Sequence, residues 1–341
     1  MVNVTTPPME MRASEVIPDE PGWLYEPKWD GFRCLAHRKG DTVSLTSKNG
    51  QPLARYFPEV SAALRALADD HFCIDGELAV PIAGAFSFDA LQQRIHPAPS
   101  RIARLARETP ATYLVFDALR IGGTELVGEP IERRRAALET FARGFAGSAV
   151  LKLSPATTDR AIADGWFASA GGALDGVVAK RLGMPYASGR RDAAVKIKRL
   201  RTADCVVAGF RYAKGSKTDV GSLLLGLYDE AGLLDYVGFC SAFAAAERKA
   251  LAERLAPHVG GAGFTGNTPD AAPSRWDRGD HRERSYVKLD HGLVLEVAFD
   301  QVSGGHMRHG ARPHRWRTDK DPRACTADQL AIPGGAAALL V

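Results

Sequence analysis

One lysine near the N-terminus stands in a setting that could make it a nucleophile. The stretch Glu26-Pro27-Lys28-Trp29-Asp30-Gly31-Phe32-Arg33 places the amine of Lys28 two residues before a carboxylate and five before a guanidinium. A protonated lysine is a poor nucleophile, and burial or nearby cations activate it by lowering its pKa. The aspartate could orient the amine or hold a metal, and the arginine suits phosphate or ribose. A strand end with ordinary surface charges is the alternative, because so short a pattern recurs by chance.

Five further strings carry groups that such a lysine would need. Asp75 and Glu77 flank a glycine inside an apolar strand, where each buried carboxyl requires a cation, a metal or a hydroxyl donor. Asp175 begins another apolar strand, which is a suitable position for a metal ligand. Lys196 and Lys198 project from the same face of a strand. An anion such as phosphate would offset their repulsion, and their field would lower the pKa of a nearby lysine.

Two of the strings are explained equally well by structure alone. Ser47-Lys48-Asn49-Gly50 reads first as a turn, although Lys48 could face phosphate. Phe116 lies in an apolar run and is most simply a core residue, although its ring could stack on a purine. Taken together, the strings supply a nucleophile, carboxylates for a divalent cation, a base platform and a phosphate clamp. These groups are the ones that a nucleophilic attack on a nucleotide phosphate requires.

The composition is that of a soluble globular protein with two domains. The chain has 341 residues, of which 45% are hydrophobic and 25% charged. It has neither an apolar run long enough to span a membrane nor an apolar signal core, which predicts a cytoplasmic location. Its five cysteines are widely spaced, which predicts neither a disulfide framework nor a zinc site. Between residues 186 and 217, nine Lys or Arg face two acids, which favours a phosphate-facing surface.

Hydrophobic periodicity predicts the elements that position these groups. Residues 1–22 read as an extended arm, and the rest of the first half as irregularly interleaved helices (59–68, 88–95, 133–145, 160–170) and strands (73–80, 113–119, 176–180, 194–198). Beyond residue 201 the pattern becomes short strands (205–212, 222–228, 233–239, 293–299) with one helix (244–255). About five strands with one helix fits a small Greek-key barrel such as the oligonucleotide-binding fold. Residues 260–280 read as a loop.

In this order the strings resemble the motifs of ATP-dependent DNA ligases, which belong to the covalent nucleotidyltransferase superfamily. The resemblance covers nearly the whole chain, and its size is most similar to the small stand-alone bacterial type called ligase C, a relative of the ligase module of bacterial end-joining enzymes. The matching strings, in chain order, are 28–33, 47–50, 75–77, Phe116 with Asp117, 175–180, 196–198 and 315–320.

The resemblance implies an α+β fold. A nucleotidyltransferase (adenylation) domain with antiparallel sheets and helices would occupy residues 1–201, and an all-β oligonucleotide-binding-fold barrel residues 202–341. ATP would be the cofactor, retained as covalent AMP on Lys28, with Mg²⁺ or Mn²⁺. The partner would be nicked duplex DNA, sealed in DNA repair by a monomeric protein whose two domains close around the duplex. An extra DNA-gripping loop could lie in residues 260–284 or in the N-terminal arm.

The resemblance also implies roles for individual residues. Lys28, Asp30, Lys196 and Lys198 would be catalytic, with the last two holding the α-phosphate of ATP. The residues implied to bind the nucleotide are Glu26 and Phe116 at the adenine, Arg33 and Glu77 at the ribose or a phosphate, Lys48, Lys180, Lys28, Lys196 and Lys198, and Arg317, Asp319 and Lys320 at the leaving pyrophosphate. The implied metal ligands are Asp30, Glu77 and Asp175.

Two departures from the usual pattern stand out. Lys48 replaces a more common arginine, and Asp175 replaces a more common glutamate that is one methylene longer. Two other functions stay open. One is an RNA ligase or a capping-type nucleotidyltransferase, which shares the lysine motif. The other is a non-catalytic nucleic-acid-binding protein, which would predict loss of the lysine or the carboxylates, and none of them is lost.

Overall fold

The structure is a computed structural model that describes residues 6–82, 85–170, 174–241, 243–269 and 285–331. It divides into two compact units, the first reaching Arg199 and the second starting at Leu200. Residues 270–284, which belong to the predicted loop and to the possible DNA-gripping segment, lie outside the described residues. In the described ranges, no helix has the length and apolar character needed to cross a membrane.

The first unit contains two main sheets and five helices within the described residues. Its helices are α1 (Pro58–Arg65), α2 (Phe88–Gln93), α3 (Pro99–Glu108), α4 (Ile131–Ala142) and α5 (Arg160–Ala168). Its strands are β1 (Arg12–Ser14), β2 (Trp23–Trp29), β3 (Phe32–Lys39), β4 (Thr42–Ser47), β5 (His71–Ala79), β6 (Pro81–Ile82), β7 (Ala85–Phe86), β8 (Thr112–Ile121), β9 (Thr124–Glu125), β10 (Leu151–Leu153), β11 (Leu174–Arg181) and β12 (Ala194–Lys198).

The smaller sheet has the order β1-β12-β11-β2 and carries the predicted nucleophile. β2 lies at its edge. Pro27 is tolerated there because proline has no N–H to donate, and an edge strand has one side that does not pair with a neighbouring strand. The larger sheet has the order β10-β8-β5-β3-β4, with β9 paired to β8. An apolar cluster joins the two sheets, since it contains Trp29 and Val177 from the first and Leu114 from the second.

Most strand pairs are antiparallel, as the sequence predicts, but two edge pairs are parallel. β1 runs parallel to β12, and β10 runs parallel to β8. Parallel neighbours require long connections, and both pairs join segments that are distant in sequence. The alternation of apolar residues that predicts a strand carries no information on its direction, so this difference could not be foreseen.

The predicted helices are confirmed to within a few residues, and α3 was missed. Its sequence is rich in arginine, and Ile102 is its buried residue. Capping side chains and prolines explain where four of these helices begin. Ser87 and Asp159 cap α2 and α5 through their side chains, and proline occupies the first turn of α1 and α3.

The second unit contains a curled six-stranded antiparallel sheet, a small two-stranded sheet and a helix. The elements are β13 (Arg201–Tyr212), β14 (Val220–Tyr228), β15 (Leu234–Cys240), α6 (Ala245–Leu255), β16 (Val287–Lys288), β17 (Val294–Phe299), β18 (Val302–Ser303), β19 (His306–Met307) and β20 (Arg312–Trp316). The order of the main sheet is β15-β14-β13-β17-β20, with β16 paired to β13, and β18 pairs with β19. In the described residues β15 and β20 do not form a ladder, although a bridge between Cys240 and Ala311 joins the two edges.

All five cysteines are buried and free. Burial raises the pKa of the thiols of Cys34 and Cys205 well above the ordinary value, and raises that of Cys73 to about 12. The prediction of no disulfide framework agrees with the free state of these thiols.

Candidate active site

Lys28 lies where three neighbouring strands bring opposite charges together. Its Nζ atom is 2.5 Å from Oδ2 of Asp175, and the Nζ atom of Lys198 is 3.5 Å from the same oxygen. The register explains the meeting, because Gly176 of β11 stands opposite Lys28 of β2 on one side and opposite Lys198 of β12 on the other. A Cβ at Gly176 would lie 1.9 Å from the carbonyl oxygen of Ile197, so only glycine permits this approach.

The charges of Lys28, Lys196 and Lys198 lie close together, beside the carboxylate of Asp175. Burial and the neighbouring charges of Lys28 and Lys198 lower the pKa of Lys196. Lys48 lies close enough for its charge to add to this effect on Lys196, and it also forms an ion pair with Glu10, at 3.4 Å. The paired lysines of β12 therefore lie near the predicted nucleophile, and an anion placed among them would be stabilised.

A pocket opens beside Lys28. About 460 Å³ of space lies within it, part of which is open solvent at its mouth. The walls contain six of the residues predicted to bind a nucleotide and two methionines that the sequence did not suggest. They are Met9, Met11, Glu26, Pro27, Lys28, Trp29, Arg33, Glu77, Phe116, Val178 and Lys180.

A buried ion network supports the inner end of this pocket. The Nζ atom of Lys180 donates to Oε1 of Glu26 at 2.9 Å and to Oδ2 of Asp117 at 3.3 Å. Arg134 also donates to Asp117, at 2.8 Å. Burial opposes the charge on Asp117, but Lys180 and Arg134 outweigh it and lower the pKa of this carboxyl to about 2. For Glu26, burial outweighs its single lysine partner, so the pKa of Glu26 is raised.

Phe116 is a pocket residue and is half-buried, so it is available to a ligand. The Nζ atom of Lys180 lies 4.9 Å from the centroid of its ring, and the guanidinium carbon of Arg33 lies 5.6 Å away. Cations over an aromatic face are attracted by its quadrupole. The ring is thus fixed in place by charges while one part of it still faces the cavity.

Arg33 is committed to protein partners. Its Nε and Nη2 atoms donate to the two carboxylate oxygens of Asp75, at 3.2 and 2.7 Å, and its Nη1 atom donates to the carbonyl of Met9 at 2.5 Å. Tyr186 donates its hydroxyl to the same Asp75 at 2.6 Å. The carboxylate of Asp75 has thus found both a cation and a hydroxyl donor. The sequence singled out Asp75 as a carboxyl in need of such partners, but Tyr186 and Met9 were not among the predicted site residues, and no local pattern joins them to it.

Glu77 faces the pocket as a carboxyl that is difficult to ionise. Burial raises its pKa to about 8, against the effect of the nearby Lys28 and Arg33, and the charge of Asp30 adds to the increase. Across the described ranges, no group of three or more His, Cys, Asp or Glu side chains is placed to hold a metal ion. Asp30, Glu77 and Asp175 therefore do not form a complete protein cage for a metal.

The predicted residues of the second unit form their own charge cluster. Arg317 donates through Nη1 to both carboxylate oxygens of Asp204, at 3.0 Å, and through Nε to Asp319 at 2.9 Å. The Nζ atom of Lys320 lies 3.6 Å from Asp204. The hydrogen bond from Arg317 lowers the pKa of Asp319 to about 2. Asp204 is a partner that the sequence did not suggest, because it lies 113 residues before Arg317.

Comparisons with known proteins agree with this architecture. Residues 9–198 match the ATP dependent DNA ligase domain, and residues 216–320 match the ATP dependent DNA ligase C terminal region. DNA ligase C of Mycobacterium tuberculosis is 44% identical over 97% of this chain and 95% of its own length. DNA ligase C2 of Mycolicibacterium smegmatis is also 44% identical, over 96% of this chain and 94% of its own length.

Solved structures give the same result. A mycobacterial DNA ligase D complexed with ATP and MES matches with 27% identity and a TM-score of 0.50, covering 96% of this chain and 99% of that one. A Lig E DNA ligase shares the fold, with a TM-score of 0.58 at 17% identity. The fold is that of a nucleotidyltransferase domain followed by an oligonucleotide-binding-fold domain. The chain belongs to the ATP-dependent DNA ligase family.

Proposed function

We propose that this protein seals nicks between a 3′-hydroxyl and a 5′-phosphate in duplex DNA, with AMP carried on Lys28. The observation that best supports this function is the position of the Lys28 amine, at the wall of a pocket that Glu26, Phe116 and Lys180 also line. Family membership supports the reaction class, and the cationic cluster around Lys28 supports an attack on phosphate.

The reaction has three steps. The neutral amine of Lys28 attacks the α-phosphorus of ATP and loses a proton, so a P–N bond forms, the bond from that phosphorus to the β-phosphate oxygen breaks, and pyrophosphate leaves. A 5′-phosphate oxygen of the nick then attacks the same phosphorus, the P–N bond breaks, and the amine regains a proton. The 3′-hydroxyl finally loses its proton as it attacks the 5′-phosphorus, the bond from this phosphorus to the AMP oxygen breaks, and AMP leaves.

Lys196 and Lys198 would hold the α-phosphate, because two ammonium groups on one strand face favour an anion between them. Asp175 would orient the attacking amine, since its carboxylate is 2.5 Å from Nζ of Lys28. Lys48, as a single point charge, would contact a phosphate. Arg317, Asp319 and Lys320 would orient the leaving pyrophosphate.

Adenine would bind beside Phe116, with Glu26 at its edge and Lys180 behind both. This assignment rests on the half-exposed ring of Phe116 and on the buried Glu26–Lys180 pair. Arg33 would support the site through Asp75, and Glu77 would face the ribose or a phosphate.

A divalent ion, Mg²⁺ or Mn²⁺, fits the residues that are present. Magnesium commonly binds through one or two carboxylates together with substrate phosphates, so a complete protein cage is unnecessary. Asp30, Glu77 and Asp175 would supply the carboxylates, and Glu77 is a carboxyl whose ionisation a nearby cation would favour. Such an ion would offset the charge that develops on the phosphates.

The protein would act as a monomer in the cytoplasm, where it would seal nicks in chromosomal DNA during DNA repair. The domain boundary would follow residue 201, and both domains would be needed on DNA. Removal of residues 203–341 should therefore abolish nick sealing, and full sealing by the truncated protein would contradict this point.

The direct test uses ATP labelled at the α-phosphate. Incubation with Mg²⁺ followed by denaturation should leave label on the protein, Lys28→Ala should remove it, and Lys39→Ala, at an exposed strand end, should retain it. Label from GTP alone would indicate a capping-type enzyme, and no label would indicate a nucleic-acid-binding protein. Nicked DNA and nicked RNA then distinguish DNA ligation from RNA ligation, and DNA binding should weaken steeply with salt.

A further inference from the structure

A short N-terminal segment, residues 8–14, lies along the pocket and is called the strap below. Its last three residues form β1, with Arg12 opposite Val195 in the parallel pair with β12. Upstream, the amide of Glu10 donates to the carbonyl of Arg190 at 2.8 Å, and Met9 forms a bridge with Ser188. The strap is therefore an added edge of the small sheet, and it brings the side chains of Met9 and Met11 into the pocket wall.

Met9 is held at both ends of its own backbone. Its amide donates to the hydroxyl of Tyr186 at 2.9 Å, and its carbonyl accepts from Nη1 of Arg33 at 2.5 Å. Tyr186 and Arg33 are both anchored on Asp75, which is fully buried. Met9 is also only 3% exposed and belongs to a buried apolar cluster, so it is positioned as a core residue.

The chemistry of the wall suits a flat apolar ligand. Methionine has a polarizable thioether, adapts to irregular contacts and interacts favourably with aromatic rings. Phe116 offers an aromatic ring in the same pocket, so the cavity presents both an aromatic and a thioether surface. A purine base is a ligand that would use both.

We propose that Met9 and Met11 form a wall of the base site and determine which purines fit it, and that Arg33 and Tyr186 are positioning residues that act through Met9. The inference rests on the proposed nucleotide site, and it adds specificity residues that precede the lysine motif. It also gives Arg33 a role different from direct contact with ribose or phosphate. The competing view is that the strap only completes the sheet edge.

The test measures ATP binding by calorimetry without divalent metal, and Lys28 labelling with metal, for Met9→Ala and Met11→Ala. Both measurements are repeated with ATP analogues enlarged at N6 and at C2. We expect apparent affinity for ATP to fall about fivefold, as one lost packing contact implies, while the labelling rate at saturating ATP changes less than about twofold. Preference should shift towards at least one enlarged analogue, and Met9→Leu should restore wild-type behaviour.

Two further variants separate positioning from stability. Tyr186→Phe keeps the ring but removes the hydroxyl that holds Met9, so it should weaken ATP binding with little effect on the saturated rate. Met184→Ala is the matched control, because Met184 packs against the same apolar cluster as Met9 but does not line the pocket. It should lower only the thermal midpoint.

The outcomes are distinct. The inference is overturned if Met9→Ala and Met11→Ala behave like Met184→Ala, with unchanged ATP affinity and unchanged analogue preference. If the wild-type protein binds ATP but takes no label, the proposed ligase reaction fails while the binding data still decide the role of the strap.

Discussion

The Nζ atom of Lys28 and the Oδ2 atom of Asp175 are 2.5 Å apart, although the two residues are 147 positions apart in sequence. Asp175→Asn keeps the shape of the side chain but removes its charge. We expect adenylation of Lys28 to slow by about tenfold or more, because the amine loses the carboxylate that orients it. Single-turnover labelling with ATP measures this rate. Asp164→Asn, the same change on exposed α5, should leave it unchanged, and an equal rate in both variants would refute the role of Asp175.

Gly176 provides a test of strand spacing. Its φ is +150°, and a Cβ there would meet the backbone of Ile197 at 1.9 Å. Gly176→Ala should therefore separate β11 from β12, lower stability by about 3 kcal/mol and slow adenylation. Gly165→Ala is the control, because no atom lies within 4 Å of its Cβ position in α5, so it should be neutral or stabilising by up to about 1 kcal/mol. Thermal and urea unfolding distinguish the two, and similar curves would contradict the packing argument.

The low pKa of Asp117 predicts how the stability of the protein changes in acid. The pKa of an aspartate in an unfolded chain is about 3.9, whereas in the folded protein the pKa of Asp117 is about 2. Because the folded value is lower, the ionised carboxylate stabilises the protein above about pH 4, and this contribution is lost as pH falls through about pH 2. Asp117→Asn should thus flatten the fall in the free energy of unfolding across that window.

The same substitution has a cost at neutral pH. It leaves Lys180 and Arg134 without their shared carboxylate, which should destabilise the protein by about 3–5 kcal/mol. Asp70→Asn, at an exposed position just before β5, should change stability by less than about 0.5 kcal/mol. Urea titrations at a series of pH values measure both effects, and an unchanged pH slope in Asp117→Asn would contradict the prediction.

Arg317 allows the steps of the reaction to be separated. If it orients pyrophosphate, Arg317→Ala should slow labelling of Lys28 by about tenfold or more but retain most sealing of a nick that already carries AMP. Gel assays with adenylated nicked DNA measure the second activity. Arg323→Ala, whose guanidinium packs on Tyr228 in the same unit, is the control. Equal loss of both activities in Arg317→Ala would point to a structural role instead.

The sequence predicted much of the pocket because its residues lie at short, regular spacings along strands. Glu26 and Lys28 are two residues apart on β2, so strand geometry places both side chains on one face, and Lys180 follows from the apolar run of β11. The sequence did not show whether Phe116 is a core residue or a ligand-binding residue. Its half-exposed position beside the cavity favours ligand binding. Fold class and two-part organisation could likewise be read from periodicity and motif order.

Other features depend on contacts between distant parts of the chain. The hydroxyl of Tyr186 meets the amide of Met9 across 177 residues, and no local pattern predicts such a pair. The contact of Arg33 with ribose or phosphate stays an expectation, and a sequence cannot show that Asp75 is close enough to bind its guanidinium. The parallel edges of both sheets were missed for the same reason, since pairing direction is decided by tertiary contacts.

Because the native thiols are buried, dyes can be attached selectively at other positions. Thiolates, not neutral thiols, react with maleimides, so the five buried cysteines should label very slowly in the folded protein. One new cysteine introduced on the exposed surface of each unit would then carry a fluorophore without interference. Energy transfer between two such dyes could follow the distance between the units through every stage of nucleotide and DNA binding, in a protein that keeps all of its natural cysteines.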